Sequence, residues 1–594
     1  MRFRLLASAL LAALCIGVAS AAVPAETPTM PVEELRPGMR GEAYTVFEGV
    51  RPEKMDVEIL GVLKNVIGPK KHVILVRLSG PKAEFTGVVA GMSGSPVYVE
   101  GKLIGALAYK IGIFNKEPIG GVTPIADMLE ISEQDTTPAP ATQVAQAAQT
   151  AVVTPFEVAG PGRTRQDAEF YRQHLQPIET SLVFSGFSEE TVKRFAPQFA
   201  AAGVVPVMGA GSVDDEKQPE PIEPGSAVSI VFVRGDLNIA AGCTVTTVDA
   251  KRLLACGHPL FHFGRVDIPL TKSRVLVTVA SDFASFKIMQ ATEPAGALVQ
   301  DRLTGVLGHL GQTAEMVPVK LSLKNGGEAR QFSFEVLNQA RITPVAVMAT
   351  VYNALRGANE YGEDVSFRMK GSIRVQGYPE VSMEDIFAPN ESGPTAYGVA
   401  ITLGGRFTRI YSNPWVGPRI EGVDLQFEVL PERRWARLES ARTDVVEARP
   451  GDQIVIEAVL RPYRGERILR QIPVRIPASA PRGPLRILVS DGDTLDLMRN
   501  AAPFGRQPDL ASTIAALNKE RVNHRLYVSV LQANPQAMVD DKVMPTLPLS
   551  VINVMDGLRG TRDMVLMSES SVDESSTSLD YAVSGAQVLM VTVK

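Results

Sequence analysis

The sequence predicts a mainly β, multidomain protein, and three observations carry that reading. Short runs rich in Val, Ile, Leu and Tyr, separated by Gly, Pro and Lys/Asn turns, fill residues 31–132. The same pattern returns over residues 223–345, after an intervening stretch that loses it. At about 150 residues per domain, a chain of 594 residues is long enough to bury several cores.

The chain starts with "MRFRLLASALLAALCIGVASA", in which Arg2 and Arg4 precede an apolar run and Ala19-Ser20-Ala21. This is the pattern of a secretory signal peptide over residues 1–21, which predicts a secreted or periplasmic protein. Leu14 stands where a lipoprotein signal before Cys15 needs a small residue. No later stretch reaches ~18 uninterrupted apolar residues, so no integral membrane span is expected after signal cleavage.

Residues 31–132 contain "MDVEILGVL", "HVILVRL", "TGVVAG", "PVYVEG" and "KLIGALAY", the strands of a small barrel or sandwich. Residues 133–222 read as a linker and helical insert. Their first part is rich in Thr, Ala, Gln and Pro, then "RQDAEFYRQHLQ" and "SEETVKRFAPQFAAAG" carry acidic first turns, with Ser188 at a helix start. After a polar spacer, residues 223–345 form the second β unit. Residues 346–430 read as an α+β connecting domain, with the helix "PVAVMATVYNALRGANE" at its entry and the strands "VSFRMKGSIRV" and "VDLQFEVL". Strand spacing and Gly/Pro turns over residues 431–490 predict an immunoglobulin-like β-sandwich, and residues 491–594 a C-terminal α+β region. No internal repeat implies a solenoid or propeller.

A composition of 45% hydrophobic and 21% charged residues is ordinary for a soluble globular protein. A formal charge of −5 without a basic stripe excludes a general nucleic-acid binder. Beyond the signal only Cys243 and Cys256 remain. If Asp249-Ala250 turn a hairpin, the two cysteines fall opposite each other as a cross-strand disulfide requires, and export permits the bond. Two buried thiols are the other reading.

The chemistry-bearing stretch is "VVAGMSGSPVYV". A serine nucleophile needs a hydroxyl projected from a tight turn, with backbone N–H groups aimed at the developing oxyanion. The spacing G-x-S-G-x-P matches "GDSGGP", the nucleophile motif of chymotrypsin-like peptidases. That alignment makes Ser93 the nucleophile and the N–H groups of Gly91 and Ser93 the oxyanion hole, with Ser95 the alternative nucleophile. The competing reading is a Gly/Ser turn without chemistry. A serine needs a base, and the six histidines are His72, His174, His258, His262, His309 and His524. His258 is the best candidate, because "LLACGHPLFHFG" sets it after a buried strand and a Gly, with Pro259 fixing the chain beyond. His258 and His262 lack the accompanying ligands of a metal site, so neither metal nor cofactor is expected.

These segments resemble the SpoIVB-type sporulation serine peptidases, a chymotrypsin-like family. "TGVVAGMSGSPVYVEGKLIGALAY" is similar to that family's nucleophile segment and the strand pair after it. "LLACGHPL" is similar to the segment bearing its histidine base, and "DRLTGVLG" to a further downstream match. The resemblance covers roughly residues 31–132 and 223–310. It implies a chymotrypsin-like double β-barrel that hydrolyses protein or peptide substrates through Ser93 and His258. Two features depart from the family. Its histidine half precedes its serine half, whereas here the order is reversed, which geometry-defined triads tolerate. Its acidic member lies shortly before the serine motif, where this chain has Ser79-Gly80 and an out-of-register Glu84. Asp267, nine residues after His258, is the positional candidate instead. The expected function is an exported serine endopeptidase. The alternative is a non-catalytic envelope protein-binding module on a degenerate peptidase fold.

Overall fold

The computed structural model describes residues 27–112, 117–133, 174–200, 204–209, 217–281, 285–357, 364–389, 394–415, 417–499, 509–532, 536–539, 542–544, 547–556, 564–567 and 570–594. The predicted signal peptide and residues 134–173 of the predicted linker lie outside the described residues.

The first β unit is a closed barrel. Strands β1 (Arg40–Thr45), β2 (Glu53–Gly68), β3 (Lys71–Ser79), β4 (Pro96–Val99), β5 (Lys102–Ile111) and β6 (Ile119–Pro124) pair in the order β4-β1-β2-β3-β6-β5. All these pairings are antiparallel, and β4 returns to β5 to close the ring. The run "HVILVRL" in β3 has little alternation because both of its faces are covered. Ile74, Val76 and Leu78 join the barrel core, while Val73 and Leu75 join a second cluster with Leu60, Leu63 and Tyr109.

Residues 174–209 contribute β7 (Leu175–Pro177), β8 (Thr180–Ser185), the helix Glu189–Ala200 and β9 (Val204–Met208). Ser188 starts the helix as predicted, its Oγ accepting the N–H of Thr191 at 3.2 Å. "LQP" of the predicted helix "RQDAEFYRQHLQ" and the residue after it is strand β7, because its backbone pairs with β5.

A second six-stranded antiparallel ring follows. Strands β10 (Ala227–Gly235), β11 (Asn238–Val248), β12 (Arg252–Ala255), β13 (Gly264–Val279), β14 (Phe286–Arg302) and β15 (Gly305–Leu310) pair in the order β10-β13-β14-β15-β12-β11, and β10 returns to β11. The fold is thus mainly β, with the double barrel that the family resemblance implies. The β11–β12 hairpin differs from its sequence reading. The Asp249 carboxylate accepts the N–H groups of Lys251 and Arg252, which lengthens the turn and sets Val248 opposite Leu253. A bulge between Val245 and Thr247 then shifts the register, and Cys243 and Cys256 are joined in a disulfide with Cα atoms 5.2 Å apart.

The sheet of the second barrel continues through Met316–Asn325 and Glu328–Leu337 into Ile420–Leu430, Ser366–Val375 and Val381–Phe387. Residues 346–430 therefore extend the His-bearing unit. A parallel pairing of Met316–Asn325 with Ile420–Leu430 requires a long crossover, and the helices Thr343–Gly357 and Thr395–Tyr411 in that connection pack into one core with the barrel. The C-terminal sandwich stacks a four-stranded sheet on a five-stranded one around Leu438, Ile456, Leu460, Ile487, Val528 and Val591. It needs strands from beyond residue 490: Ala586–Val593 pairs with Gly483–Ser490 along its length. Among the described residues no helix is long and apolar enough to cross a membrane.

The two barrels meet at a seam that combines apolar contacts, Val46 with Ala227, Val275 and Met289, with polar ones. Gly49 and Val275 exchange both backbone hydrogen bonds, and Ala90 bridges to the segment Ser285–Lys287. The Lys287 side chain crosses the seam fully buried, with Nζ donating to Thr45 Oγ1 at 2.6 Å. Burial drives its pKa from 10.5 down to about 7, opposed only by the Glu53 carboxylate. Between about pH 7 and 10.5 the unfolded chain holds a proton that folded Lys287 releases, so stability rises with pH across that window. Lys287→Met is expected to flatten this rise and to stabilise the barrels near pH 7.5 by on the order of 2 kcal/mol in urea unfolding. An identical pH profile in the variant would show that the lysine is not held neutral.

Candidate active site

The segment Gly87–Ser95 links a short helix, Pro81–Thr86, to β4 and forms the turn that the sequence predicts. Ser95 N–H donates to Met92 O at 3.0 Å, and Ser95 Oγ donates to the same carbonyl at 2.6 Å. The Ser95 hydroxyl is therefore spent on closing its own turn. Met92 and Gly94 also donate their N–H groups, to Val89 O and Leu107 O. Among the described residues the N–H groups of Gly91 and Ser93 donate to no protein acceptor.

This turn belongs to the first barrel but is sewn into the second. Thr244 N–H donates to Ser93 O at 2.9 Å, Thr244 Oγ1 to Gly91 O at 2.9 Å, and Thr246 Oγ1 to Gly94 O at 2.8 Å. Ser93 is 1% exposed, and its hydroxyl donates to the carbonyl of Cys256. Gly94 has φ +98°, and a Cβ there would stand 1.9 Å from Thr244 O and 2.5 Å from the Cys256 nitrogen. Only glycine permits this approach of two backbones.

His258 lies in the loop after β12, two residues beyond Cys256, and is 4% exposed. Its Nδ1 is 2.8 Å from Pro259 O. A carbonyl only accepts, so Nδ1 carries the proton and the lone pair of the neutral ring is on Nε2. Nε2 is buried and has no hydrogen-bond partner. Burial lowers the pKa of the ring, while the backbone carbonyls of Pro259 and Ile178 and the charge of Glu179 oppose that shift. The ring is thus favoured in its neutral form, the form a general base requires.

Asp267 is exposed on β13, and its carboxylate accepts the N–H of Glu315 at 2.9 Å. It is not among the groups acting on His258. The buried carboxylate beside the histidine loop is Asp301 of "DRLTGVLG", which the sequence reading did not single out. Its Oδ1 accepts Leu260 N–H at 2.8 Å, and its Oδ2 accepts Phe261 N–H at 2.8 Å and Phe263 N–H at 3.2 Å. Burial raises its pKa despite these donors. Gln300 and Arg302 flank it, so no local pattern set it apart. Glu84 accepts the N–H of Gly80 at its own helix start.

Phe261 and Phe263 stack with ring centroids 4.9 Å apart, and the Arg341 guanidinium lies over Phe263. With Phe199, Ile342 and Val345 they line a cavity of about 270 Å³. Among the described residues no group of His, Cys, Asp and Glu is arranged to hold a metal ion.

Residues 21–129 match the family SpoIVB peptidase S55. The match contains Ser93 and ends before the His258 segment. No curated protein and no solved structure matches the chain.

Loss of the Asp301 grip is expected to act on the histidine loop first. Asp301→Ala leaves one buried and two part-buried N–H groups without their acceptor, a destabilisation of about 2 kcal/mol or more in urea unfolding, whereas Asp301→Asn retains one acceptor oxygen and loses less. Equal stability of wild type and Asp301→Ala would remove this role.

Proposed function

From the SpoIVB peptidase match of the Ser-bearing barrel, we propose that the chain is an exported serine endopeptidase with Ser93 as nucleophile and His258 as base. The observation that carries this reading is the seating of the "GMSGSP" turn against the Cys256–His258 segment, with the N–H groups of Gly91 and Ser93 left unengaged. In the proposed reaction His258 Nε2 takes the proton of Ser93 as Oγ attacks the substrate carbonyl. The Gly91 and Ser93 N–H groups then hold the tetrahedral oxyanion. The imidazolium returns its proton to the leaving amine, and a water repeats the sequence on the acyl-enzyme.

Among the described residues no carboxylate bonds to the His258 ring, and the Pro259 carbonyl accepts the Nδ1 proton in its place. A carbonyl fixes the tautomer as a triad aspartate does, but it stabilises the imidazolium less because it carries no full charge. Slow turnover is the expected consequence. Export is supported by the N-terminal signal pattern and by a disulfide, which persists in oxidising compartments.

A second reading is a binding module without catalysis. It is favoured by the Ser93 hydroxyl, which donates to Cys256 O and not to His258 Nε2. Labelling with a fluorophosphonate probe separates the two. The peptidase reading expects wild type to label, Ser93→Ala not to label, and His258→Ala to label on the order of 10³-fold more slowly. Labelling lost in Ser95→Ala but kept in Ser93→Ala would move the nucleophile. A wild type that never labels would favour the binding module.

A further inference from the structure

Ser93 is held at two of its atoms by two strands that a disulfide joins. Its carbonyl accepts the Thr244 N–H, and its hydroxyl donates to the Cys256 carbonyl. Thr244 follows Cys243 in the chain, and Cys243 is bonded to Cys256. The path from Ser93 O through Thr244, Cys243, the two sulfurs and Cys256 back to Ser93 Oγ is a closed ring around the serine. Both cysteines are 0% exposed, so the bond is shielded from solvent thiols and reads as a permanent part of the site.

The conformation of Cys256 makes the bond more than a staple. Its φ is +68°, in the left-handed region, and Gly257 follows at +62°. A left-handed residue other than glycine is disfavoured and persists where its surroundings over-determine it. Four contacts surround it here: the disulfide at Cys256, the Cys256 N–H to Thr244 O at 3.3 Å, the Gly257 N–H to Ala255 O at 2.9 Å, and the bond from Thr123 Oγ1 to Gly257 O at 2.6 Å. Two consecutive left-handed residues turn the chain sharply. They direct the Cys256 carbonyl at Ser93 and lead straight into His258.

We propose that Cys256 is a positioning residue for Ser93 and His258, and that its bond to Cys243 serves the site by holding Cys256 in the left-handed conformation. The inference rests on the peptidase reading of the same serine. In the resting site the Cys256 carbonyl holds the Ser93 hydroxyl, and the fixed turn after it sets where the His258 ring stands. Without that conformation the hydroxyl and the ring lose their common reference point.

The test separates conformation from cross-linking. Cys243→Ala/Cys256→Gly removes the bond but leaves a residue that adopts the left-handed region freely, whereas Cys243→Ala/Cys256→Val removes the bond and disfavours that region. Fluorophosphonate labelling rates are measured per folded molecule, with folding checked by circular dichroism. The ¹⁵N resonances of the His258 ring are recorded in parallel and require no turnover. The expected result is labelling at least tenfold faster in the Gly double variant than in the Val double variant, with His258 resonances near those of wild type only in the Gly form. Equal labelling and equal His258 spectra in both variants would overturn the proposal and leave the disulfide a staple. If wild type does not label, the nucleophile assignment fails, and the His258 spectra still decide the positioning role: displaced in the Val form alone they support it, and alike in both forms they overturn it.

Discussion

The contact on which the candidate site depends is the stitching of one barrel's turn into the other barrel's strand. Thr244 and Thr246 of β11 donate to three carbonyls of the serine turn, at Gly91, Ser93 and Gly94, and Cys256 receives the serine hydroxyl. Each hydrogen bond contributes only about 1 kcal/mol net. Their collective effect is geometric. The backbones approach so closely at Gly94 that no side chain fits, and neither barrel defines the serine's position alone.

The seam that permits this approach is costly to build. Apolar side chains fill part of it, Val46 against Val275 and Met289 and Leu103 near Leu254 and Leu307, and hydroxyls and a lysine occupy the part beside the serine turn. Lys287 extends from the second barrel to Thr45 of the first, and its stem lies against the position a side chain at Gly91 would occupy. A buried ammonium without a carboxylate in contact is expensive, and the low pKa of Lys287 is the measure of that cost. The histidine loop is built on the same principle with the opposite charge. Asp301 is buried to collect three loop N–H groups that would otherwise have no acceptor.

The acid of a serine peptidase triad has two functions, to orient the imidazole and to stabilise its positive charge. In this chain the two are separated from the residue the sequence suggested. Asp267 faces outward to Glu315, the Pro259 carbonyl fixes the ring tautomer, and Asp301 orders the loop behind the ring. None of these places a full negative charge in contact with the imidazole. The geometry accordingly suits a neutral, oriented histidine better than a strongly stabilised imidazolium.

Local chemistry made much of the molecule legible. Alternating strands, the Gly-flanked "GMSGSP" turn, the helix started by Ser188 and the pairing of Cys243 with Cys256 each follow from residues near in sequence, where turn and strand rules act. What residues 346–430 and 491–594 join was not legible, because strand partners far apart in sequence are chosen by which faces remain uncovered after folding. The same holds for the site. The sequence by itself determined which serine stands in the Gly-flanked turn and which histidine follows a buried strand. Only the tertiary structure decided where the carboxylates go, since an Asp nine residues away in the chain can point to solvent while one 43 residues away is folded under the loop. Burial and hydrogen-bond demand, not proximity in sequence, assign such groups.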